Sequence, residues 1–364
     1  MRNILKIDWI IFTSISLLLG LSLAILFPIS YSGESASPDK DHFFRQIIFV
    51  GVALVIFWIL SFFDYRSLKN YSAFLFFLGI FLLLLVLVFG KVIRGTSGWI
   101  GFGGFHLQPV EPFKVIISIA LAKYFSVNSR TIKDPKHILI SFVPVLLSII
   151  LILWQPDLGS ALVVFAVWFG MLVIAGVKKK YLFILIVICI FAAAFSWSYF
   201  LKDYQKERVM TLFHPQSDPM GSGYNVIQST VAVGSGGIWG KGLGHGSQSQ
   251  LNFLPEKHTD FIFAVVSEEL GLGGATFVMV LFVVIIFRLI KSAQNSRDNF
   301  GKLLSSAVAI IIFVQVLINV GMNIGILPVA GIPLPLMSYG GSSLLSMLAA
   351  LGIAENIYRV GQTG

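Results

Sequence analysis

Long apolar runs separated by short polar segments dominate the hydrophobic pattern of the chain. A helix needs roughly 20 predominantly apolar residues to cross a bilayer. Ten runs approach that length: residues 7–29, 45–63, 71–90, 112–127, 138–154, 158–176, 181–200, 261–288, 303–327 and 338–357. The pattern predicts an all-α polytopic membrane protein with about ten transmembrane helices, and a large extracytoplasmic loop, residues 201–260, between helices 7 and 8.

The composition agrees with a membrane protein. Hydrophobic residues make up 56% of the 364 residues and charged residues only 12%, whereas soluble domains carry about 25% charged residues. Since no loop is long enough for a separate soluble domain, residues 1–364 are predicted to form one transmembrane domain. The first run, residues 7–29, exceeds the apolar core of a signal peptide and lacks a cleavage site after it, which indicates a retained span.

The charges are unevenly distributed between the two sides of this topology. An even number of spans puts both termini on one side, and that side carries 16 of the 26 basic residues but only 5 of the 17 acidic ones. Because cytoplasmic loops are enriched in Lys and Arg, both termini are predicted to lie in the cytoplasm. The net charge of +9 then follows from topology and anionic lipid, and it requires no nucleic acid.

Two of the predicted outer loops differ from ordinary connections. Residues 91–111 and 201–260 mix glycine, aromatic and charged residues, and loops of such length usually carry function or are disordered. Glu111 and Lys114 flank Pro112 at the end of the first loop. One interpretation is a helix start, with Pro112 as the first helical residue and the anion at the positive end of the helix. The other is a functional site, because charges at membrane depth are costly.

Two further polar groups lie on the same predicted side. Asp157, in the sequence WQPDLGS, either caps the next span or contributes a carboxylate to a site. Residues 327–345 contain three prolines, which cannot lie inside a regular helix. Ser342 and Ser343 follow at the start of the last span. They either cap that helix or help to present backbone amides to a phosphate.

The charged sequence LPEKHTDFIF directly precedes the eighth predicted span. Asp260 is of a good N-cap type, but a cap does not account for Glu256 and Lys257 beside it. Glu268 and Glu269 follow, and position 268 lies two helical turns beyond Asp260 on roughly the same face. This spacing predicts several carboxylates around one polar cavity that opens to the outside.

Some familiar motifs are absent from the sequence. Residues 234–246 are rich in glycine but lack the Gly-Lys-Ser/Thr ending and the βαβ setting of nucleotide-binding loops. His214, His245 and His258 lack the i, i+4 spacing of a helical zinc site. The single cysteine, Cys189, has no intrachain partner. The sequence therefore predicts neither a nucleotide nor a histidine-bound metal.

Two long segments carry a resemblance to a known family. Residues 213–274, which run from FHPQSDPMGSGYNVIQ to SEELGLGG, and residues 326–345, ILPVAGIPLPLMSYGGSSLL, closely resemble the SEDS (shape, elongation, division, sporulation) family. The resemblance spans nearly the whole chain. The stretch GSQSQ before LPEKHTDFIF favours the member that acts in cell elongation over the division paralogue.

This resemblance implies a ten-helix peptidoglycan glycosyltransferase at the outer face of the bacterial cytoplasmic membrane. Its substrate is lipid II, a disaccharide peptide linked to undecaprenyl pyrophosphate, which it polymerises with inversion into β-1,4 glycan. The essential aspartate of the HTDF motif corresponds to Asp260, the candidate general base for the acceptor hydroxyl. The residues predicted to bind substrate or its pyrophosphate are Trp99, Arg94, Glu111, Lys114, Asp157, Arg208, Lys257, Ser342 and Ser343.

The resemblance also implies partners and a cofactor. The partner is a class B penicillin-binding protein, a transpeptidase, within the elongation complex. A divalent cation, Mg²⁺ or Mn²⁺, would share the neutralisation of the pyrophosphate, although no dedicated metal motif assigns its ligands, and no organic cofactor is expected. Two positions depart from the family pattern: Val110 replaces a serine, and Gly98 replaces a basic residue before the tryptophan.

Other functions fit the composition equally well. A transporter or flippase for a lipid-linked precursor would use the same carboxylates to line a pathway, and a scaffold would only recruit the transpeptidase. Transporters bury charges near the midplane on broken helices, whereas these acids cluster in outer loops and at helix entries. That placement favours chemistry at one face of the membrane. Within the family, the role of the division paralogue FtsW is the alternative.

Overall fold

The computed structural model describes residues 7–31, 40–93, 96–102, 105–199, 203–213 and 222–362. This part of the chain is mostly helical. Its helices are α1 (Trp9–Tyr31), α2 (Lys40–Phe62), α3 (Arg66–Phe89), α4 (Val110–Val127), α5 (Lys136–Trp154), α6 (Leu158–Ala175), α7 (Lys179–Tyr199), α8 (Asp203–Phe213), α9 (Ser222–Ser235), α10 (Ser247–Gln250), α11 (Ile262–Gln294), α12 (Asn299–Asn323) and α13 (Gly341–Gly361).

The apolar runs of the sequence coincide with long helices. Each of the ten predicted spans overlaps one of the helices α1 to α7 and α11 to α13. Seven of the described helices are long and apolar enough to cross a membrane, namely α1, α2, α3, α5, α6, α11 and α12. The chain is thus a helical protein with several candidate spans, and the total of ten spans stays a prediction.

Helix α12 forms the centre of the bundle. Within its most apolar window 78% of the residues are buried, against 17% in α2 and 22% in α3. Helices α4, α6, α11 and α13 pack around it. Outer helices instead expose apolar side chains such as Phe74 and Phe77 of α3, as expected for faces covered by lipid rather than water. The central helix therefore has the most complete protein surroundings.

The expectation of an all-α chain misses a small antiparallel sheet in the loop before α4. Strands β1 (Lys91–Ile93), β2 (Thr96–Phe102) and β3 (Phe105–Leu107) pair in sequence order. The N–H of Ser97 donates to the carbonyl of Gln155 at 3.3 Å. This bond ties the sheet to the turn between α5 and α6, and it brings the first predicted outer loop next to Asp157.

The large predicted loop, residues 201–260, also contains regular structure. Helices α8, α9 and α10 lie within it, and α9 packs against both α8 and α11. Residues 214–221 lie outside the described part of the chain. The described part of the loop is therefore built onto the N-terminal half of α11 rather than extended as a plain connection.

The glycine-rich segment of this loop pairs with a break in α11. Gly271 has a non-helical conformation, with φ of 66° and ψ of −164°, so nearby backbone groups lose their helical partners. The N–H of Lys241 donates to the Glu268 carbonyl at 3.0 Å, and the N–H of Leu272 donates to the Gly237 carbonyl at 2.9 Å. These bonds satisfy backbone groups that would be costly to leave unpaired in an apolar setting.

Close backbone approach explains why this segment contains glycine. A Cβ added to Gly240 would lie 2.3 Å from the carbonyl oxygen of Glu269, and Gly240 has a φ of 78°, a conformation that side chains disfavour. A Cβ added to Gly236 would lie even closer to the carbonyl oxygen of Ser267. The glycines allow the loop to lie directly on α11, which gives them a structural role instead of a phosphate-binding one.

Candidate active site

A cavity of about 310 Å³ opens where several segments of the chain meet. Its walls come from β2, the residue Gln108 before α4, the α5–α6 turn, α9, the segment before α11, and the loop before α13 with the first turn of that helix. Five of the predicted site residues line it: Trp99, Asp157, Asp260, Ser342 and Ser343. These residues are far apart in sequence, so the fold brings together polar groups that the sequence presents as separate motifs.

Three carboxylates give the cavity an acidic lining. Asp157, Glu256 and Asp260 all line it, and no Lys, Arg or His does so among the described residues. Glu256 has a positive φ of 48°, which is uncommon outside glycine, and its Oε2 accepts from the Thr259 hydroxyl at 3.1 Å. Such strained backbone clusters at functional sites, where surrounding structure holds it in place.

Asp157 caps helix α6, as one of its two interpretations predicts. Its Oδ1 accepts from the N–H of Ser160 at 2.9 Å, and its Oδ2 accepts from Gln108 Nε2 at 3.3 Å. Burial raises the pKa of the Asp157 carboxyl, while the nearby Lys114 ammonium and the bond from Ser160 oppose that shift. The side chain thus combines a structural cap with a carboxylate in the cavity wall.

Glu111 and Lys114 form an ion pair behind this wall. The Lys114 Nζ lies 2.8 Å from the Glu111 Oε1, and the side chains are only 2% and 5% exposed, respectively. They are one turn apart in α4, which begins at Val110, so Pro112 is the third helical residue instead of the first. Neither charge lines the cavity among the described residues. Both charges act on Asp157 through space: the Lys114 ammonium lowers the pKa of the Asp157 carboxyl, and the Glu111 carboxylate raises it.

Asp260 precedes α11 but does not cap it. The helix begins at Ile262, its N-cap residue is Phe261, and no side chain makes a capping hydrogen bond there. The interpretation of Asp260 as an N-cap is therefore wrong. Its side chain is partly exposed and lines the cavity, where it faces the loop before α13 at Gly331.

The loop before α13 holds the backbone next to Asp260. The N–H of Tyr339 donates to the His258 carbonyl at 2.8 Å. The Ser338 hydroxyl donates to the Thr259 carbonyl at 2.6 Å and accepts from the N–H of Leu334 at 2.8 Å. The proline-containing loop and the HTD sequence are thus two sides of one hydrogen-bonded structure.

Lys257 does not face the cavity. It is 6% exposed, and its Nζ donates to the Ser249 carbonyl and to Asn252 Oδ1, both at 2.7 Å. In this arrangement the ammonium ties α10 and the following turn to the segment before α11. These contacts indicate that Lys257 helps to hold α10 and the following turn in place.

Glu268 and Glu269 do not join Asp260 in the cavity, contrary to the expectation from their spacing. The Glu268 carboxylate accepts from the backbone N–H groups of Gln248 at 2.8 Å and Ser249 at 3.0 Å, and from Lys241 Nζ at 2.8 Å. Glu269 accepts from the side chain of Gln250 at 2.8 Å. These two carboxylates organise the glycine-rich loop and α10 on the side of α11.

Two predicted cationic side chains lie outside the described part of the chain. Arg94 lies outside the described residues. Arg208 falls within α8, but its side chain lies outside the described part.

The two departures from the family pattern have structural reasons. A Cβ added to Gly98 would lie 3.1 Å from Gln155 Oε1, which leaves little room for a side chain. Val110 is 1% exposed and packs in the core at the start of α4. Glycine at position 98 therefore fits crowded surroundings, and valine at position 110 fits apolar ones.

The sequence interpretation missed several residues of the cavity. Gln108, Asn225, Thr259 and Tyr339 line it, and the N–H of Gln108 donates to the Ser342 hydroxyl at 2.8 Å. The sequence does contain a signal for Gln108, because a polar residue directly before a proline at the start of a span indicates non-helical backbone at that position. Asn225 carries no such signal, since only the packing of α9 brings it to the cavity.

The carboxylates fit a metal ion only in part. No group of three or more His, Cys, Asp or Glu side chains is arranged to hold a metal within the described residues, and both Asp157 oxygens already accept hydrogen bonds. Mg²⁺ is commonly held by one or two carboxylates together with substrate phosphates. Asp260 and Glu256 suit that kind of shared site.

Comparisons with known proteins agree on one family. The chain matches the FtsW, RodA and SpoVE family model, described as cell cycle protein, over residues 8–362. It is 38% identical over 316 residues to the peptidoglycan glycosyltransferase MrdB of Escherichia coli, a match that covers 86% of this chain and 85% of the relative. Stage V sporulation protein E of Bacillus subtilis is 36% identical over 351 residues, 94% of each chain.

Solved structures are similar over the same length. A chain from a peptidoglycan synthase complex, solved to show the structural coordination of polymerization and crosslinking, superposes with a TM-score of 0.80 at 32% identity and covers 98% of this chain and 99% of its own. The crystal structure of the rod shape determining protein RodA of Thermus thermophilus gives a TM-score of 0.70 at 27% identity, with 97% of both chains covered.

Proposed function

The chain belongs to the FtsW, RodA and SpoVE family of cell cycle proteins, and from that premise we infer that it is a peptidoglycan glycosyltransferase of cell elongation and shape maintenance. The named activity of MrdB supports the reaction class, and the similarity to RodA supports the elongation role. The observation that carries the proposal is the acidic cavity, in which Asp260 lies with its carboxylate accessible.

The proposed substrate is lipid II, as both donor and acceptor. The 4-hydroxyl of one disaccharide attacks the anomeric carbon of the other, and a new glycosidic C–O bond forms as the bond to undecaprenyl pyrophosphate breaks. The hydroxyl proton passes to a base, and the electron pair leaves with the pyrophosphate. A single displacement converts the α-linked donor into a β-1,4 glycan, so the reaction inverts the anomeric centre.

Asp260 is the proposed general base. A positioned base contributes typically 10² to 10⁴ in rate, and it must reach the proton that it removes. The partly exposed carboxylate in the cavity meets that requirement. Among the described residues, the cavity lining supplies no lysine or histidine as a competing base.

The leaving pyrophosphate needs positive charge or hydrogen-bond donors. Ser342 and Ser343 lie in the first turn of α13, where backbone N–H groups lack helical partners and favour anions. We assign them to the pyrophosphate, with Trp99 and Asp157 shaping the cavity beside it. Lys114 would contribute through space, and Arg94 and Arg208 are proposed to approach from the outer loops.

A divalent cation is a proposed participant. Mg²⁺ or Mn²⁺ held by Asp260 or Glu256 together with substrate phosphates would neutralise charge on the leaving group. With or without this cation, the residues assigned above to the base and to the pyrophosphate bind and orient the two substrates.

The proposed setting is the cytoplasmic membrane, with both termini in the cytoplasm and the cavity at the outer face. The predicted distribution of basic residues supports this orientation. A class B penicillin-binding protein of the elongation complex is the proposed partner. Support comes from the similar chain in the peptidoglycan synthase complex, which coordinates polymerization with crosslinking.

Polymerisation of purified lipid II by the protein with its partner transpeptidase tests the proposal. We expect Asp260→Ala to fold, to bind the partner and to lose glycan synthesis, which also excludes a scaffold role. Wild-type synthesis by this variant would reject Asp260 as the base. Translocation of lipid II across liposomes without polymerisation would favour a flippase instead.

A further inference from the structure

The backbone carbonyl of Asp260 accepts hydrogen bonds from two buried asparagines of α12. Asn319 Nδ2 donates to it at 2.9 Å and Asn323 Nδ2 at 3.0 Å. Both asparagine side chains are fully buried. Asp260 lies just before α11, so regular helical hydrogen bonds do not fix its position, and these two amides do so instead.

The two amides form a connected network. Asn319 Nδ2 also donates to the Ile332 carbonyl at 2.8 Å. Asn323 Oδ1 accepts from the N–H of Ala264, in the first turn of α11, at 3.0 Å, and Asn323 Nδ2 lies 3.3 Å from Asn319 Oδ1. Asn319 therefore joins two sides of the cavity, because Ile332 lies between the lining residues Gly331 and Pro333 while Asp260 lies opposite.

The anchor of this network is a helix that is surrounded by protein on most sides. Helix α12 is the most buried candidate span, and residues four apart lie on one face of a helix. Carbonyl, N–H and Cα of a peptide lie in one plane, so holding the carbonyl restricts where the Asp260 side chain can point. Neither asparagine lines the cavity among the described residues.

We propose that Asn319, together with Asn323, is a positioning residue that fixes Asp260 relative to the loop before α13 during glycan synthesis. The proposal rests on the proposed function, in which Asp260 is the base. Asn319 acts through Asp260 and does not touch the substrate. Its removal is expected to misplace the carboxylate while leaving substrate binding largely intact.

The same helix supplies a matched control. Gln315 lies one turn before Asn319 on the same face, is fully buried, and has both side-chain amide atoms without a hydrogen-bond partner in the described part of the chain. Gln315→Met removes a buried amide of similar size without altering any bond to Asp260. It therefore separates loss of a buried polar group from loss of the Asp260 contact.

The experiment measures lipid II polymerisation by the full chain with its partner. A misplacement of about 1 Å can cost roughly 10²-fold in rate, so we expect Asn319→Ala to lower kcat by about that factor with little change in KM. Asn323→Ala, which keeps the Asn319 bond, is expected to show a smaller loss. Gln315→Met is expected to retain wild-type kcat, and thermal unfolding checks that each variant is folded.

A double-mutant comparison decides how Asn319 acts. In an Asp260→Ala background, Asn319→Ala should cause no further loss of residual activity, because residues that act as a unit are not additive. A folded Asn319→Ala protein with wild-type kcat, or an additive loss in the double variant, would overturn the inference. High activity of Asp260→Ala alone would instead overturn the proposed function, so the two failures are distinguishable.

Discussion

Replacing Lys114 by methionine tests the buried ion pair behind the cavity. The charges lie 2.8 Å apart and are nearly inaccessible to water, which at an effective dielectric constant of about 20 gives an attraction of about 6 kcal/mol. Removing both ions from water costs several kcal/mol per ion, so the pair as a whole is close to neutral for stability. Removing one partner leaves the other charge buried and alone, at a cost of about 3–5 kcal/mol.

The assay is equilibrium unfolding in mixed micelles, with three variants compared against wild type. We expect Lys114→Met and Glu111→Leu each to lose about 3–5 kcal/mol and the double variant to recover most of that loss. Polymerisation of lipid II should stay low in the stable double variant, since the charge near Asp157 is gone. Wild-type stability of Lys114→Met, or a double variant no better than the single ones, would refute the reasoning.

Three other changes give specific outcomes. Burial raises the pKa of the Asp157 carboxyl, so its contribution to stability is full below the unfolded pKa and is lost as pH rises through the folded pKa. We therefore expect Asp157→Asn to have a higher melting temperature than the wild-type protein at neutral pH. In thermal scans at lower pH the difference between the two melting temperatures should disappear. A Cβ at position 240 would lie 2.3 Å from the Glu269 carbonyl oxygen, whereas a Cβ at position 237 meets nothing within 4 Å. In chemical unfolding, Gly240→Ala should therefore lower the free energy of unfolding much more than Gly237→Ala, which carries only the left-handed backbone cost of about 1–2 kcal/mol. Lys257→Met should speed amide hydrogen exchange in the outer loop, because it removes both bonds from the buried ammonium, and an unchanged exchange rate would contradict that role.

Features with local physical causes could be predicted from the sequence. The apolar runs predict where the long helices lie, because a span must bury about 20 residues in lipid. Asp157 caps α6 as its residue type suggests. The prolines of residues 327–340 exclude a helix there, and none forms. In each case neighbouring residues decide the outcome.

Features that depend on distant partners could not be predicted. The helical period relates Asp260 to Glu268 only if both lie in one helix, but α11 begins at Ile262. The glycines of residues 234–246 are needed because the backbone of this segment contacts α11, whose residues lie more than 20 positions further along the sequence. The sequence predicts Lys257 as a substrate-binding residue, because its acceptors Ser249 and Asn252 are not evident from sequence.

The most direct test of the central claim is the rate of lipid II polymerisation by Asp260→Asn. Asparagine keeps the size and the backbone contacts of Asp260 but cannot accept the hydroxyl proton as a base. The account predicts a loss of about 10²- to 10⁴-fold in kcat, with lipid II and the partner still bound. A rate equal to that of the wild-type protein would contradict it.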